Sequence, residues 1–214
     1  MNKIFNLLLL LILTSSAVFA QKDKKALQIL DAMSEKYKAM PAFKADFQYT
    51  IENPSSGIND TFGGEITIKG SMFRLKMDGQ EIINNGTTVW TYLEDENEVN
   101  ISDYTPSEDE VSPSTIYTAY KKGYKYLFVE EKKESGQAYE IIDLIPEDKN
   151  KQVFKIRIQI NKKDKSIKNW RIFENSGTKY FCNVIKLTPN VSVQNNFFSF
   201  DTAKYKGVEV VDLR

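Results

Sequence analysis

The chain has 214 residues, of which 29 are basic and 29 acidic, with no histidine and a single cysteine. Balanced charge leaves no electrostatic footprint for a nucleic acid, and one cysteine excludes an internal disulfide. The missing histidine removes the Ser-His-Asp and Cys-His mechanisms together with the commonest metal ligand.

Residues 1–20 read as a secretory signal. Lys3 supplies the positive start, Ile4–Leu13 is an apolar core broken only by Asn6, and Val18-Phe19-Ala20 places small residues where a signal peptidase reads. A run this short does not span a bilayer as a helix, which takes about 20 residues. Cleavage after Ala20 is expected, with no cysteine nearby to mark a lipoprotein signal. Residues 21–214 then form one domain, without a linker or a membrane anchor, and a monomer is expected.

The domain opens with an amphipathic helix over Lys24–Met40. Leu27, Leu30, Met33, Tyr37 and Met40 recur at spacings of three and four, and Pro41 ends it. Phe43, Ala45, Phe47, Tyr49 and Ile51 then alternate with polar residues, which is the period of a strand with one wet face. After the turn at Asn53–Gly57 the alternation resumes through Phe62, Ile66 and Ile68, and after Gly70-Ser71 through Phe73, Leu75 and Met77. Asp78-Gly79 leads into Gln80–Tyr92, two short strands flanking Asn85-Gly86, a pair suited to a tight turn with positive φ. A strand at Val99–Ser102 follows the acidic turn Glu94–Glu98.

Asp103–Pro113 is acidic, holds two prolines and reads as a loop. Ser114–Lys121 reads as a short helix with Ile116, Tyr117 and Tyr120 as its apolar positions. Strands return at Lys125–Lys132, Ala138–Ile145, Val153–Asn161, Ile167–Asn175 and Thr178–Thr188, and the chain closes with a loop at Phe197–Phe200 and a strand at Gly207–Leu213. About eleven strands and two helices imply a mainly β protein whose neighbours pair antiparallel in sequence. A sheet this wide must curl, split or close. Curled into an incomplete barrel with the helices as a lid, it still has more apolar face than the helices can cover, and a pocket is expected in its mouth.

Four segments resemble the outer-membrane lipoprotein carrier proteins, the LolA-like family. They are P-A-F-K-A-D-F-Q at 41–48 after the helix, G-G-E-I-T-I-K-G at 63–70 entering F-R-L at 73–75, I-I-N-N-G-T-T-V-W-T-Y at 82–92, and F-S-F-D-T-A-K-Y-K-G-V-E-V-V-D at 198–212. The resemblance implies a half-barrel closed by helices, located in the periplasm of a Gram-negative cell. It implies a carrier that shields the acyl chains of lipoproteins between the two membranes. Its implied partners are the acylated lipoproteins, an inner-membrane lipoprotein-releasing ABC complex and an outer-membrane acceptor of unknown identity. Better-known members carry Arg-Pro after the strand that here ends at Lys69, and that arginine holds the lid shut; here the places read Gly70-Ser71. Related half-barrels also serve as lipid sensors that bind a signalling partner, usually through a second domain for which this chain, ending at Arg214, has no room.

The expected acyl-chain contacts are Phe43, Phe47, Ile66, Ile68, Phe73, Leu75, Ile82, Ile116 and Tyr120. Each is equally readable as ordinary core. Trp90 points to the face opposite its neighbours Val89 and Thr91, and the sequence leaves open which face is inside. Cys182, among Phe181, Val184 and Ile185, reads as a small buried hydrophobe. Glu94, Asp95, Glu96 and Glu98, and likewise Glu108, Asp109 and Glu110, read as solvated turns. They are neither a glycosidase pair, which must face across a cleft, nor a calcium loop, whose glycine and distal glutamate are missing. No catalytic residue, metal site or cofactor is expected.

Overall fold

The computed structural model describes residues 23–105 and 112–214. The signal at 1–20 and the acidic residues 108–110 lie outside the described residues. Among the described residues there is one α-helix, α1 (Lys24–Lys38), capped by Asp23, whose Oδ1 accepts from the amides of Lys25 and Ala26 at 2.8 and 3.1 Å. Lys36 and Lys38 occupy its last turn, where cations favour the helix dipole. The helix ends two residues before Met40, because the residue preceding Pro41 is driven out of the α region. Ala26, Ile29, Leu30, Met33 and Tyr37 form its buried stripe.

Twelve strands follow, one more than the eleven expected: β1 (Phe43–Asn53), β2 (Ile58–Lys69), β3 (Met72–Met77), β4 (Gln80–Asn84), β5 (Thr88–Leu93), β6 (Glu98–Asp103), β7 (Tyr124–Glu134), β8 (Gln137–Pro146), β9 (Val153–Asn161), β10 (Ile167–Glu174), β11 (Lys179–Pro189) and β12 (Glu209–Asp212). They make one sheet in the order β12-β6-β5-β4-β3-β2-β1-β11-β10-β9-β8-β7. β7 and β12 stand at opposite ends, so the barrel is open. Two antiparallel meanders, β1–β6 and β7–β11, are joined by the pairing of β1 with β11, with Phe43 opposite Pro189 and Ile51 opposite Tyr180. A bulge at this join leaves Ile185 unpaired and exposed, which increases the local twist. β12 departs from the expected antiparallel scheme and lies parallel to β6.

The inner face carries α1. The Tyr37 hydroxyl accepts from the Ile167 amide at 3.1 Å, and the Phe128 amide on edge strand β7 donates to Asp23 Oδ2 at 2.9 Å. Ile142, Leu144, Ile156, Ile158, Trp170 and Cys182 join the helix stripe in one core. The expected helix at Ser114–Lys121 is instead a run of turns ending in a 3-10 turn, Ala119–Lys121. Its tyrosine and threonine content gives little helix propensity. The lid is therefore one helix and a turn-rich strap.

The outer face of β3–β6 carries a second core, in which Ile83, Val99 and Phe198 are fully buried. Trp90 stands opposite Ile83 and so belongs to this outer face. The C-terminal segment lies across it through a 3-10 turn at Asn195–Phe198 and then β12. Lys69 Nζ donates to the Val193 carbonyl and Asn195 Oδ1 at 3.1 and 2.9 Å. Arg74 grips Glu81 through two nitrogens at 2.7 and 3.0 Å and donates to the Phe197 carbonyl at 3.0 Å. Tyr205 donates to Glu81 Oε2 at 2.9 Å and stacks on Phe200.

Burial pushes the Glu81 carboxyl up, but the hydrogen bonds from Arg74 and Tyr205 and the charges of Arg74 and Lys76 outweigh it, and its pKa falls below the ordinary 4.5. A carboxyl held low contributes stability above its ordinary pKa and loses it as pH falls through the lowered one. Denaturation midpoints should therefore drop on acidification below pH 4.5, less steeply in Glu81→Gln. Arg74→Met should cost about 1–3 kcal/mol, because Glu81 loses two charge-assisted hydrogen bonds while Tyr205 and Lys76 stay beside it. Faster hydrogen exchange over residues 195–212 would locate the loss in the C-terminal segment.

Candidate functional site

The strands β2 to β5 bring their apolar residues into rows by register. Ile66, Leu75, Ile82 and Thr91 lie opposite one another in turn across β2 to β5. Ile68, Phe73, Asn84 and Val89 make the next row. Ile66, Phe73, Leu75, Ile82 and Val89 line a cavity of about 370 Å³. Asp103–Thr105, after β6, and Ser112–Thr115, where the strap begins, complete its wall. The Ser112 amide donates to Thr115 Oγ1 at 2.9 Å and the Ile116 amide to the Ser112 carbonyl at 2.9 Å, which fixes the start of the strap. α1 touches β7, the start of β10 and, through Tyr37, Phe43 of β1, and none of its residues lines this cavity.

Beside the cavity, Phe43, Phe47, Ile66, Ile116 and Trp170 close around a void of only about 20 Å³. Beyond it a chamber of about 270 Å³ lies among Tyr37, Lys38, Met40, Phe43, Ile68, Gly70, Tyr117 and Thr118. The partition is aromatic. Tyr117 stacks on Tyr37 with ring centres 5.2 Å apart, and Phe43 stands edge-on to both at 6.2 and 5.3 Å. Tyr117 lines both the void and the chamber, so moving it would join those two.

The expected contacts thus separate. Ile66, Phe73, Leu75 and Ile82 line the main cavity, with Phe73, Leu75 and Ile82 half-buried. Phe43, Phe47 and Ile116 belong to the collapsed void, and Ile68 and Phe43 to the chamber. Phe47 packs against Gly64, its cross-strand partner, where a Cβ would come within 2.6 Å of its ring and 2.9 Å of the Lys76 carbonyl. Tyr120 lines none of these spaces: its hydroxyl donates to Asp31 Oδ1 at 2.5 Å, tying the strap to α1. Sequence reasoning missed Val89 and Thr91, whose parity with Ile82 follows once Trp90 is assigned outward, and it missed Tyr37 and Tyr117 as the partition.

The walls offer little chemistry. Burial pushes the Tyr37 hydroxyl up to about 12, so it keeps its proton at neutral pH. Cys182 is buried, and burial pushes its thiol up to about 12, which makes it an inert hydrophobe. Glu94, Asp95 and Glu96 lie on the turn before β6, away from the cavity. Among the described residues no group of three or more His, Cys, Asp or Glu side chains could hold a metal ion. The site can enclose apolar matter and hold it by shape.

Residues 38–201 match the family model described as outer membrane lipoprotein carrier protein LolA. No curated protein matches the sequence. Among solved structures, an uncharacterized conserved protein from Thermus thermophilus is similar at a TM-score of 0.60 and 12% identity, covering 88% of this chain and 99% of that one. A putative outer membrane lipoprotein-sorting protein domain from Vibrio parahaemolyticus gives a TM-score of 0.48 at 14% identity, covering 82% and 97%.

Substitution should separate floor from core. Phe47→Ala should lower unfolding free energy by about 3–5 kcal/mol, since a buried ring leaves a void. Leu75→Glu, on the half-open floor, should leave the melting temperature nearly unchanged and abolish uptake of an acyl probe. Gly64→Ala should destabilise by about 1–3 kcal/mol by displacing the Phe47 ring. Thermal melts and fluorescent fatty-acyl titrations on the same samples read both quantities.

Proposed function

The chain belongs to the outer membrane lipoprotein carrier protein family, and on that premise we propose that it carries acylated proteins across the periplasm with their chains folded into the inner-face cavity. The observation that carries this reading is the cavity of about 370 Å³ whose floor is the aliphatic and aromatic inner face of β2–β5 and whose lining includes no residue of α1. Each methylene withdrawn from water is worth about 0.8 kcal/mol, so a lipid anchor cannot travel bare. An apolar floor, with Asp103, Thr105, Ser112, Ser114 and Thr115 gathered on the wall beside it, lets the chains pass on to a membrane that holds them better. The cavity lies at the low end of the roughly 300–1,000 Å³ usual for ligand sites, so a larger cargo requires the strap to lift and the adjoining chamber to join.

In this reading Ile66, Phe73, Leu75 and Ile82 contact the chains first, and Phe43, Phe47, Ile68 and Ile116 do so when Tyr117 moves. Tyr120 anchors the strap. Signal cleavage after Ala20 delivers residues 21–214 to the periplasm as one domain. An inner-membrane releasing complex of the ABC class loads the cargo there, and an outer-membrane acceptor receives it.

The test is to recover the protein from its own host under mild conditions and identify what it holds by mass spectrometry, alongside fractionation of a deletion strain. Acylated proteins should co-purify, and at least one lipoprotein should accumulate in the inner membrane without the carrier. Empty preparations together with normal lipoprotein placement would sink the reading.

A further inference from the structure

The two halves of the sheet differ on their outer faces. Over β3–β6 the C-terminal segment covers that face, whereas over β7–β11 large apolar side chains stand in water, with Leu127 51% and Ile145 41% exposed. Register places both outside. Leu127 faces Asp143, Asp143 faces Arg157, Arg157 faces Arg171 and Arg171 faces Phe181, in one row across five strands. Two residues along each strand, Ile145 faces Lys125, and Phe173 lies between Lys155 and Lys179. The residues between these rows, Tyr126, Leu144, Ile156 and Ile172, point into the core.

Charge on this face is unbalanced. Asp143 accepts two hydrogen bonds from Arg157, at 2.7 and 2.8 Å. Arg171, directly opposite Arg157, has only the Phe181 ring, whose centre lies 4.8 Å from its guanidinium. Lys155 Nζ sits 4.3 Å from the centre of the Phe173 ring. Among the described residues, Lys125, Lys155, Arg171 and Lys179 form no ion pair. Two acids, Glu130 on β7 and Glu52 on β1, flank these four cations. Like charges directly opposite one another on a sheet are destabilising, so the Arg157–Arg171 pair favours an anion above the face. A guanidinium stacked on a ring keeps its donors free for phosphate oxygens.

We propose that the outer face of β7–β11 docks on a bilayer of anionic phospholipid, with headgroup phosphates at Lys155, Arg171 and Lys179 and with Leu127 and Ile145 entering the interface. Exposed aliphatic side chains beside unpaired cations give both terms of interfacial binding, buried apolar area and attraction to anionic lipid. None of the cavities described above is lined by these residues, and a flat array suits repeated headgroups better than a protein partner, which needs a pocket for its anchor. The surface lies on the opposite side of the sheet from the acyl cavity and does not depend on what that cavity holds. Docking there leaves the strap on the inner face free to move.

Co-sedimentation with vesicles rich in phosphatidylglycerol, and with vesicles of phosphatidylcholine alone, tests this. The wild type should bind the first and not the second, and about 0.5 M salt should release it. Each cation near an anionic surface is worth about fivefold in partitioning, so Lys155→Gln/Arg171→Gln/Lys179→Gln should bind about 100-fold less well. Lys24→Gln/Lys163→Gln/Lys206→Gln removes the same charge from exposed sites elsewhere and should bind as the wild type does. Leu127→Ser/Ile145→Ser should weaken binding severalfold with its salt dependence kept, a second reading should the first triple variant fail to fold. Uptake of a fatty-acyl probe should be the same in every variant, which separates loss of docking from loss of cargo binding. No binding to the anionic vesicles, equal binding to both kinds, or equal losses in the two triple variants would overturn the proposal. A dimer in analytical ultracentrifugation that the face variants abolish would overturn it too, by giving the surface to a second copy of the chain.

Discussion

The pairing of β1 with β11 governs the architecture. Each meander alone would be an ordinary antiparallel sheet with an edge at each side. Joining them through ten residue pairs, from Phe43 opposite Pro189 to Glu52 opposite Lys179, makes one twelve-stranded surface. Such a surface curls because strands twist, and the bulge at Ile185 adds to the twist at the join. A fifteen-residue helix is too short to cover it all. It therefore settles over the β7–β11 half, where the isoleucines of β8 and β9 fill in beneath it, and the other half is left to a strap of turns. The cavity is the space between what the sheet exposes and what the lid can reach.

The β2–β6 half of the sheet is covered on both faces, by different means. Inside, half-buried aliphatic rows face the cavity. Outside, the C-terminal segment is fastened by groups that the strands present every second residue: Lys69 at the end of β2, Arg74 on β3 and Glu81 on β4. The family places an arginine latch just after the strand that ends here at Lys69. In this chain Gly70 leaves that place empty, and the charged gripping is on the other side of the sheet, where Arg74 holds the segment and not the lid. The partition on the inner face is closed by aromatic contacts, and these rearrange at lower cost than a buried ion pair.

Most strands are legible in the sequence because local alternation writes them: β1, β2, β3 and β9 have one apolar and one wet face, and a period of two suffices. The inner-face residues Ile66, Leu75 and Ile82 follow from the same parity. Trp90 escapes assignment because both faces at β5 are covered, so the contrast that parity depends on fades there. The join of β1 to β11 and the parallel seating of β12 are non-local, and no short-range spacing encodes them. The strap mimics a helix because Ile116, Tyr117 and Tyr120 recur at helical spacing, although their job is to fill gaps between α1 and the sheet. Tyr37 belongs to the helix stripe as its spacing implies, but its stacking on Tyr117 depends on where a distant loop returns.

The outer core also has a consequence for the order in which the molecule can be completed. Ile83 and Val99 belong to the first meander, yet their cover includes Phe198 and the strand that ends at Asp212, which are made long after it. Until then the first meander holds an apolar surface with no cover and an unpaired β6 edge. Half-made chains of this kind are the aggregation-prone species of larger β proteins. Seating of the closing segment through Arg74 and Glu81 is therefore a late step of assembly, and it covers the outer core and the β6 edge together.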